Sequence, residues 1–396
     1  MRVFLFLVVG LSLYAGLYYS AGPKIDATEV VPRTRNYSLG KVLRHFILGL
    51  AALFVVDGTI FHSGFYTALL KRDSYAGNIA LVVAQERARP RDPAKQEIAL
   101  VGDSRMVEGF SAKAADARTA NSNFRIINLA APQCQLRVWY YVLRALDPRA
   151  DRYRAIVIPV AYDDLDRSHA LIESEIDISF AAPFLRCTDA LDLARSFPKW
   201  PGQSHAFIAC FLRGYAFRDD LGDLLTNWRA RLASRKADRD FLHSNYEYAG
   251  LTHSLAGVTF DSATKELFVP EHLSALRATL QDSITPRKNR GLFKNYRAQW
   301  LHRILDHYAQ SSTTILFARM PRGPLGAPAE RVARETSINE FTRPHHAFAL
   351  DAHLFDRLER PELFADRSHL NTNGRAIFTQ ILTDELLNRF EPATPQ

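Results

Sequence analysis

Two short stretches, one about a quarter of the way along the chain and one near its C-terminus, hold the residues best equipped for chemistry. The first is Ile98-Ala99-Leu100-Val101-Gly102-Asp103-Ser104-Arg105, an apolar run that enters a Gly-Asp-Ser turn. The second is Asp366-Arg367-Ser368-His369-Leu370-Asn371, with a carboxylate three residues before an imidazole. A hydroxyl is a weak nucleophile at neutral pH and needs a base, and the base works best when an acid orients it. Ser104, His369 and Asp366 are residues of those three types. Taken singly, Gly-Asp-Ser reads as a helix N-cap and Asp-x-x-His as a capping or surface pair. The pair of stretches carries the reading.

Such residues need rigid elements to bring them together. Ile98–Val101, Phe124–Leu129, Ala155–Val160, Thr313–Phe317 and, more weakly, Ala347–Leu350 are short runs rich in β-branched or apolar residues. They are continuous rather than alternating, as strands covered on both faces are. Helix-period segments separate several of them: Leu136–Leu146, and the face made by Trp300, Leu301, Ile304, Leu305 and Tyr308. This alternation predicts an α/β fold, a three-layer doubly wound parallel sheet whose ligands bind at the carboxyl ends of the strands. Ser104 then falls at a strand exit, where a helix N-terminus offers backbone donors to a developing oxyanion. Residues 165–295 interrupt the pattern and read as a mostly helical insertion, either a cap or simple filling. Residues 66–96 read as a connector, the main domain as 97–390, and the last residues as a tail.

At this point the chain resembles the SGNH (GDSL-type) hydrolase superfamily. Val101-Gly102-Asp103-Ser104 is similar to its first block, whose serine is the nucleophile. Asp366-Arg367-Ser368-His369-Leu370-Asn371 is similar to its last block, whose aspartate and histidine complete the triad. Asn128-Leu129-Ala130-Ala131 falls where the second block lies. The resemblance implies backbone oxyanion donors at Ser104, Ala130 and Ala131, with alanine where that block usually has glycine. The third block normally supplies an asparagine. Here the sequence is Pro159-Val160-Ala161-Tyr162-Asp163-Asp164, and an ionised aspartate cannot donate. Loss of one oxyanion donor lowers rate by about two to three orders of magnitude. The resemblance covers roughly 97–165 and 310–388. In plan it is similar to the membrane-anchored branch that includes the alginate acetylation and DltD-like proteins. That implies a serine esterase or O-acetyltransferase acting on a cell-surface glycan or other acyl ester, beside a membrane-bound O-acyltransferase. A non-catalytic glycan-binding or docking module is the competing expectation, and a small-ester or lipid hydrolase a third. Arg105, Asp163, Arg319 and Arg322 are candidate substrate contacts.

The N-terminal 65 residues read as a membrane anchor. Val3–Tyr19 is almost wholly apolar and spans about 25 Å as a helix, enough for a bilayer core. Phe46–Phe61 is a second apolar run, interrupted by Asp57. Lys24, Arg33, Arg35, Lys41 and Arg44 lie between them, and a basic loop stays in the cytoplasm. Two spans would then place the catalytic domain outside, in the periplasm. A cleaved signal peptide is the competing reading of the first run.

The remaining composition bounds the function. A formal charge of +8 over 396 residues suits an anionic membrane or glycan. No zinc-finger spacing, RNA-binding aromatic signature, phosphate loop or dinucleotide fingerprint is present, so no nucleic-acid, metal or cofactor role is expected. Of three cysteines, Cys187 and Cys210 share one segment and are candidates for a disulfide outside the cytoplasm. The alternative is that all three, with Cys134, are small buried hydrophobes.

Overall fold

Adjacent residues of the first strand are buried on opposite sides of a sheet. Ile98 and Leu100 pack into one apolar cluster, and Ala99 and Val101 into another. Ile126 and Ile127 of the second strand divide in the same way, as do Val157 and Ile158 of the third. A strand that is apolar on both faces needs cover on both faces, and the result is three layers. The structure is a computed structural model that describes residues 39–160, 175–234, 250–261, 263–284, 291–321, 323–325, 338, 341–342 and 346–391.

Five strands form the sheet: β1 (Gln96–Leu100), β2 (Phe124–Asn128), β3 (Ala155–Val160), β4 (Thr314–Arg319) and β5 (Ala347–Ala349). Their order is β2-β1-β3-β4-β5, and every neighbouring pair is parallel. The order reverses between β1 and β3, which opens a crevice beyond the carboxyl end of β1. The Gly-Asp-Ser turn leaves the sheet there.

Helices α1 (Leu39–Asp57) and α2 (Tyr75–Ala88) precede the sheet. Short helices α3 (Ser104–Gly109) and α4 (Ala112–Arg118) follow β1, and α5 (Leu136–Leu146) follows β2. The long helices α6 (Gly291–Tyr308) and α7 (Thr372–Phe390) flank the last two strands. One face of the sheet is covered by α2, α5 and α6 through Val83, Val142, Trp300 and Ile304. The other is covered by α3, α4 and α7 through Met106, Ala115, Phe378 and Leu382.

Two expectations change. Part of the stretch read as a connector is α2, whose Ala76, Ile79, Ala80 and Val83 are buried in the core. The polar end of that segment, Glu86 to Pro93, had hidden a helix capped by the Ser74 side chain. The insertion also divides between the two faces. Its first part is helical, with Ile178, Leu193, Phe197 and Ala206 in the α5 cluster. Its second part, with Leu255, Val258 and Leu280, joins the α7 cluster. A two-stranded hairpin of Thr259–Phe260 with Leu267–Phe268 lies in this second part.

A buried ion pair fastens the first part of the insertion to α5. Arg137 is fully buried and its Nη1 donates to Asp177 Oδ2 at 3.1 Å. Its Nη2 donates to the Ser196 carbonyl at 3.0 Å, and Phe197 stacks on the guanidinium at 3.8 Å. Nearby, Cys187 and Cys210 are free thiols rather than a disulfide. Cys187 Sγ instead points at the Cys210 carbonyl, 3.5 Å away.

Among the described residues, one helix is long and apolar enough to cross a membrane, namely Val42–His62. Leu43, Ile47, Leu48, Phe54 and Val55 are exposed along it. Asp57, which breaks the apolar run, is buried at 4% exposure. Its carboxylate accepts from the backbone N–H groups of Arg213 (2.9 Å) and Gly214 (2.7 Å), and His62 Nε2 is 3.1 Å away. The acid therefore caps a helix start in the folded domain instead of facing outward. Val3–Tyr19 lies outside the described residues.

Candidate active site

The chain leaves β1 through Gly102 because nothing larger fits. A Cβ at that position would lie 2.5 Å from Met106 Cβ and 3.3 Å from Pro159 Cγ. Asp103 then caps α3. Its Oδ1 accepts from the Arg105 N–H at 2.9 Å, and Ser104 becomes the first residue of the helix. The N-cap reading and the nucleophile reading of this turn thus describe adjacent residues doing both jobs. Ser104 is half-buried at the carboxyl edge of β1.

The second stretch folds into a tight turn. Phe364 and Leu370 form an antiparallel bridge, and the Ala365 N–H donates to the His369 carbonyl at 2.9 Å. Inside the turn, Asp366 Oδ1 accepts from the backbone N–H groups of Ser368 (2.8 Å) and His369 (2.9 Å). Its other oxygen, Oδ2, is 2.7 Å from His369 Nδ1. The turn ends at Asn371, which caps α7 by accepting from Asn373 and Gly374. Residues 372–374 are therefore already helical, although Asn-Thr-Asn-Gly is a turn-like sequence. Gly374 permits this, since a Cβ there would lie 2.3 Å from the Leu363 carbonyl oxygen.

The two stretches meet. His369 Nε2 is 2.8 Å from Ser104 Oγ. Asp366, His369 and Ser104 form one hydrogen-bonded line, with Nδ1–H donating to the carboxylate and Nε2 left to accept from the hydroxyl. The insertion supports this geometry. Leu251 bridges to Asn371, the Leu255 N–H donates to the Phe364 carbonyl, and Arg367 Nη1 bonds Asp282 Oδ2 at 3.0 Å. Gly323, with φ of +135°, lies against the same turn; a Cβ on it would be 2.6 Å from the Arg367 carbonyl oxygen.

The electrostatics follow from this packing. Burial alone would raise the Asp366 carboxyl, but the hydrogen bonds from His369 and Ser368 outweigh it and hold it at about 2. Burial alone would lower the His369 imidazole, but Asp366 outweighs that and raises it above its ordinary value. Glu108 adds to the rise, with Oε2 4.0 Å from His369 Nδ1. Glu108 was not singled out from the sequence. The available signal was its position four residues after Ser104, one helical turn along α3.

The remaining candidates fare differently. Arg105 is held by its neighbour: its Nη2 is 2.7 Å from Asp103 Oδ2, and its Nε is 3.1 and 3.2 Å from the two oxygens. Burial disfavours the charged Asp103 carboxylate, yet Arg105 keeps it below the usual range. This guanidinium fixes the N-terminal turn of α3 rather than reaching outward for an anion. Arg319 is 7% exposed at the end of β4, so it is no open edge cation. The backbone donors at Ala130 and Ala131 are also occupied. Ala130 N–H donates to Asn128 Oδ1 at 3.0 Å, and Ala131 N–H to the Gly102 carbonyl at 3.2 Å. The Asn128 side chain and the returning β1 exit have taken them. Ser104 N–H, at the start of α3, makes no hydrogen bond among the described residues and is the remaining backbone donor. Asp163 and Arg322 lie outside the described residues, as does the rest of the segment after Val160 up to residue 174.

This arrangement equips Ser104 to act as a nucleophile with His369 as its base. No protein-family model matches the chain, and no curated protein matches its sequence.

Proposed function

We propose that this chain is a serine acyl hydrolase or O-acetyltransferase of SGNH type, with a doubly wound flavodoxin-like core. We further propose that it is anchored in the membrane with its catalytic domain outside the cytoplasm, and acts on acyl esters of envelope or exported glycan. The observation that carries the reading is the unbroken line from Asp366 through His369 to Ser104, with contacts of 2.7 and 2.8 Å. Ser104 Oγ attacks the acyl carbonyl carbon and its proton passes to His369 Nε2. The tetrahedral oxyanion meets the Ser104 N–H at the start of α3. Collapse breaks the bond to the leaving alkoxide, which takes the proton from His369, and an acyl-serine remains. Water or a sugar hydroxyl, deprotonated by the same imidazole, then releases the acyl group. Hydrolase and transferase differ only in that second nucleophile. Asp366 holds the ring in the required tautomer and stabilises it when charged.

A second reading has its own observation. With the Ala130 and Ala131 N–H groups engaged, the oxyanion would meet few donors, which favours a slow enzyme or a glycan-binding module that docks a membrane-bound O-acyltransferase.

The test uses the full chain in detergent with an activated acetyl ester, followed by an acetylated oligosaccharide with a second sugar as acceptor. Ser104→Ala should lower ester turnover by at least about three orders of magnitude. Equal rates in both proteins would leave only the binding module. Serine-dependent release with no transfer to sugar would select the hydrolase.

A further inference from the structure

A cavity lies at the edge of the sheet opposite the triad. The strands run parallel, so α5 starts near the carboxyl edge after β2 and returns toward the amino edge, where β3 begins. Helix α2 ends there too, just before β1. Between the ends of α2 and α5 and the segment after the candidate span is a cavity of about 640 Å³. Its walls include His62, Arg87, Arg144, Arg186 and Arg213. Four guanidiniums in one cavity are an unusual concentration of charge, which the nearby carboxylates Asp57 and Asp189 offset only in part. Arg144 alone has a carboxylate, Asp189, at 2.6 and 2.8 Å. Arg87 donates to the Ala145 carbonyl at 2.9 Å. Arg213 donates to the carbonyls of Phe61 and Leu185. Its Nε is buried with no hydrogen-bond partner among the described residues. No carboxylate lies within 4.0 Å of the guanidiniums of Arg87, Arg186 or Arg213 among the described residues. Arg87 and Arg186 are exposed and Arg144 and Arg213 half-buried, so an anion can reach the group from solvent, and guanidinium forks match phosphate oxygens.

We infer that this cavity binds a phosphate group, supplied by the headgroup of an anionic membrane lipid. The choice of a lipid comes from position. His62, Ser63 and Gly64 line the cavity, and they directly follow the exposed apolar helix that ends at His62. Phe65, next in the chain, is 65% exposed. An aromatic residue and a basic pocket at the end of an apolar helix belong at headgroup depth. The inference rests on reading Val42–His62 as lying in the membrane and is independent of the Ser104 chemistry. It also implies that the triad, at the opposite edge of the sheet, faces away from the lipid.

The test is ligand binding by the full-length protein in detergent, read by native mass spectrometry and thermal shift. Phosphatidylglycerol, phosphatidylcholine and inorganic phosphate are the probes. Phosphatidylglycerol should be retained over phosphatidylcholine, and inorganic phosphate should displace it. The double variant R87Q/R186Q should lose about thirtyfold in affinity, at about tenfold or less per guanidinium. R87K/R186K should recover much of that loss, which separates charge from folding. Stabilisation by inorganic phosphate with no added effect of phosphatidylglycerol would support the phosphate site but overturn its lipid source. Equal retention of the two lipids without a phosphate effect would overturn the proposal. So would undiminished binding by a folded R87Q/R186Q. No arm reads ester turnover, so failure here and failure of the acyl-transfer reading are distinct.

Discussion

Glu108 Oε2 lies 4.0 Å from His369 Nδ1, on the side of the ring that also meets Asp366 Oδ2 at 2.7 Å. With Asp103, three carboxylates thus act on one imidazole, and all raise its affinity for a proton. The neutral ring is the form that accepts the Ser104 proton. Ester turnover should therefore rise with pH through a midpoint above the ordinary histidine value of about 6.5. Glu108→Gln should move that midpoint down, and Asp366→Asn should move it further. The second change should also lower kcat by about 10⁴, through loss of the tautomer. The check is kcat/KM against pH for the three proteins. An unmoved midpoint in Glu108→Gln would remove that residue from the site.

The Asp366 carboxylate should also show in stability. Its folded value of about 2 lies below the unfolded value of about 3.9. A depressed carboxyl contributes stability that is present above the unfolded value and is lost as pH falls through the folded one. The difference in urea midpoint between the wild type and Asp366→Asn should hold at pH 5 to 6. It should shrink as pH falls from about 4 toward 2. A difference that stays constant over that window would mean the hydrogen bonds to Asp366 do not favour its charged form.

Gly102→Ala should damage both stability and chemistry. The added methyl would meet Met106 Cβ at 2.5 Å, and Met106 belongs to the helix that carries Ser104. Overpacking of this kind costs about 1–3 kcal/mol. The shift in α3 that relieves it would move Oγ from His369, at about 10²-fold in kcat. Thermal unfolding and ester turnover read the two effects, and Met106→Ala, which keeps the clashing Cβ, should not restore them.

Asp177→Asn should be among the more damaging isosteric changes in the insertion. It would leave the Arg137 guanidinium, fully buried, without its counter-charge. Breaking such a pair from one side costs about 3–5 kcal/mol. A melting temperature within experimental error of the wild type would show that the first part of the insertion is not held through this pair.

The strands were legible because a parallel sheet demands unbroken apolar runs, and Ala155–Val160 coincides with β3 from end to end. Ser104, Asp366 and His369 were legible because side-chain type and local spacing suffice to nominate them. Helix α2 was less visible, since its Arg-rich and Pro-containing exit resembled a linker while its buried face uses small residues such as Ala76 and Ala80. The capping of α7 by Asn371 was also masked, because Asn-Thr-Asn-Gly reads as a turn unless the Asn side chain is seen to accept from the helix.

By itself the amino-acid sequence determined the order of the five strands along the chain and the chemical types at the crevice, because both are set by local spacing. Only the tertiary structure decided where each donor and charge is spent. Arg105 turns back to Asp103, Ala130 and Ala131 donate within the β1 and β2 exits, Asp57 caps a helix start at Arg213, and Glu108 joins His369. The bonds of Asp57, Ala131 and Glu108 join residues far apart in sequence, and those of Arg105 and Ala130 depend on which way a nearby side chain turns, so no sequence pattern records them.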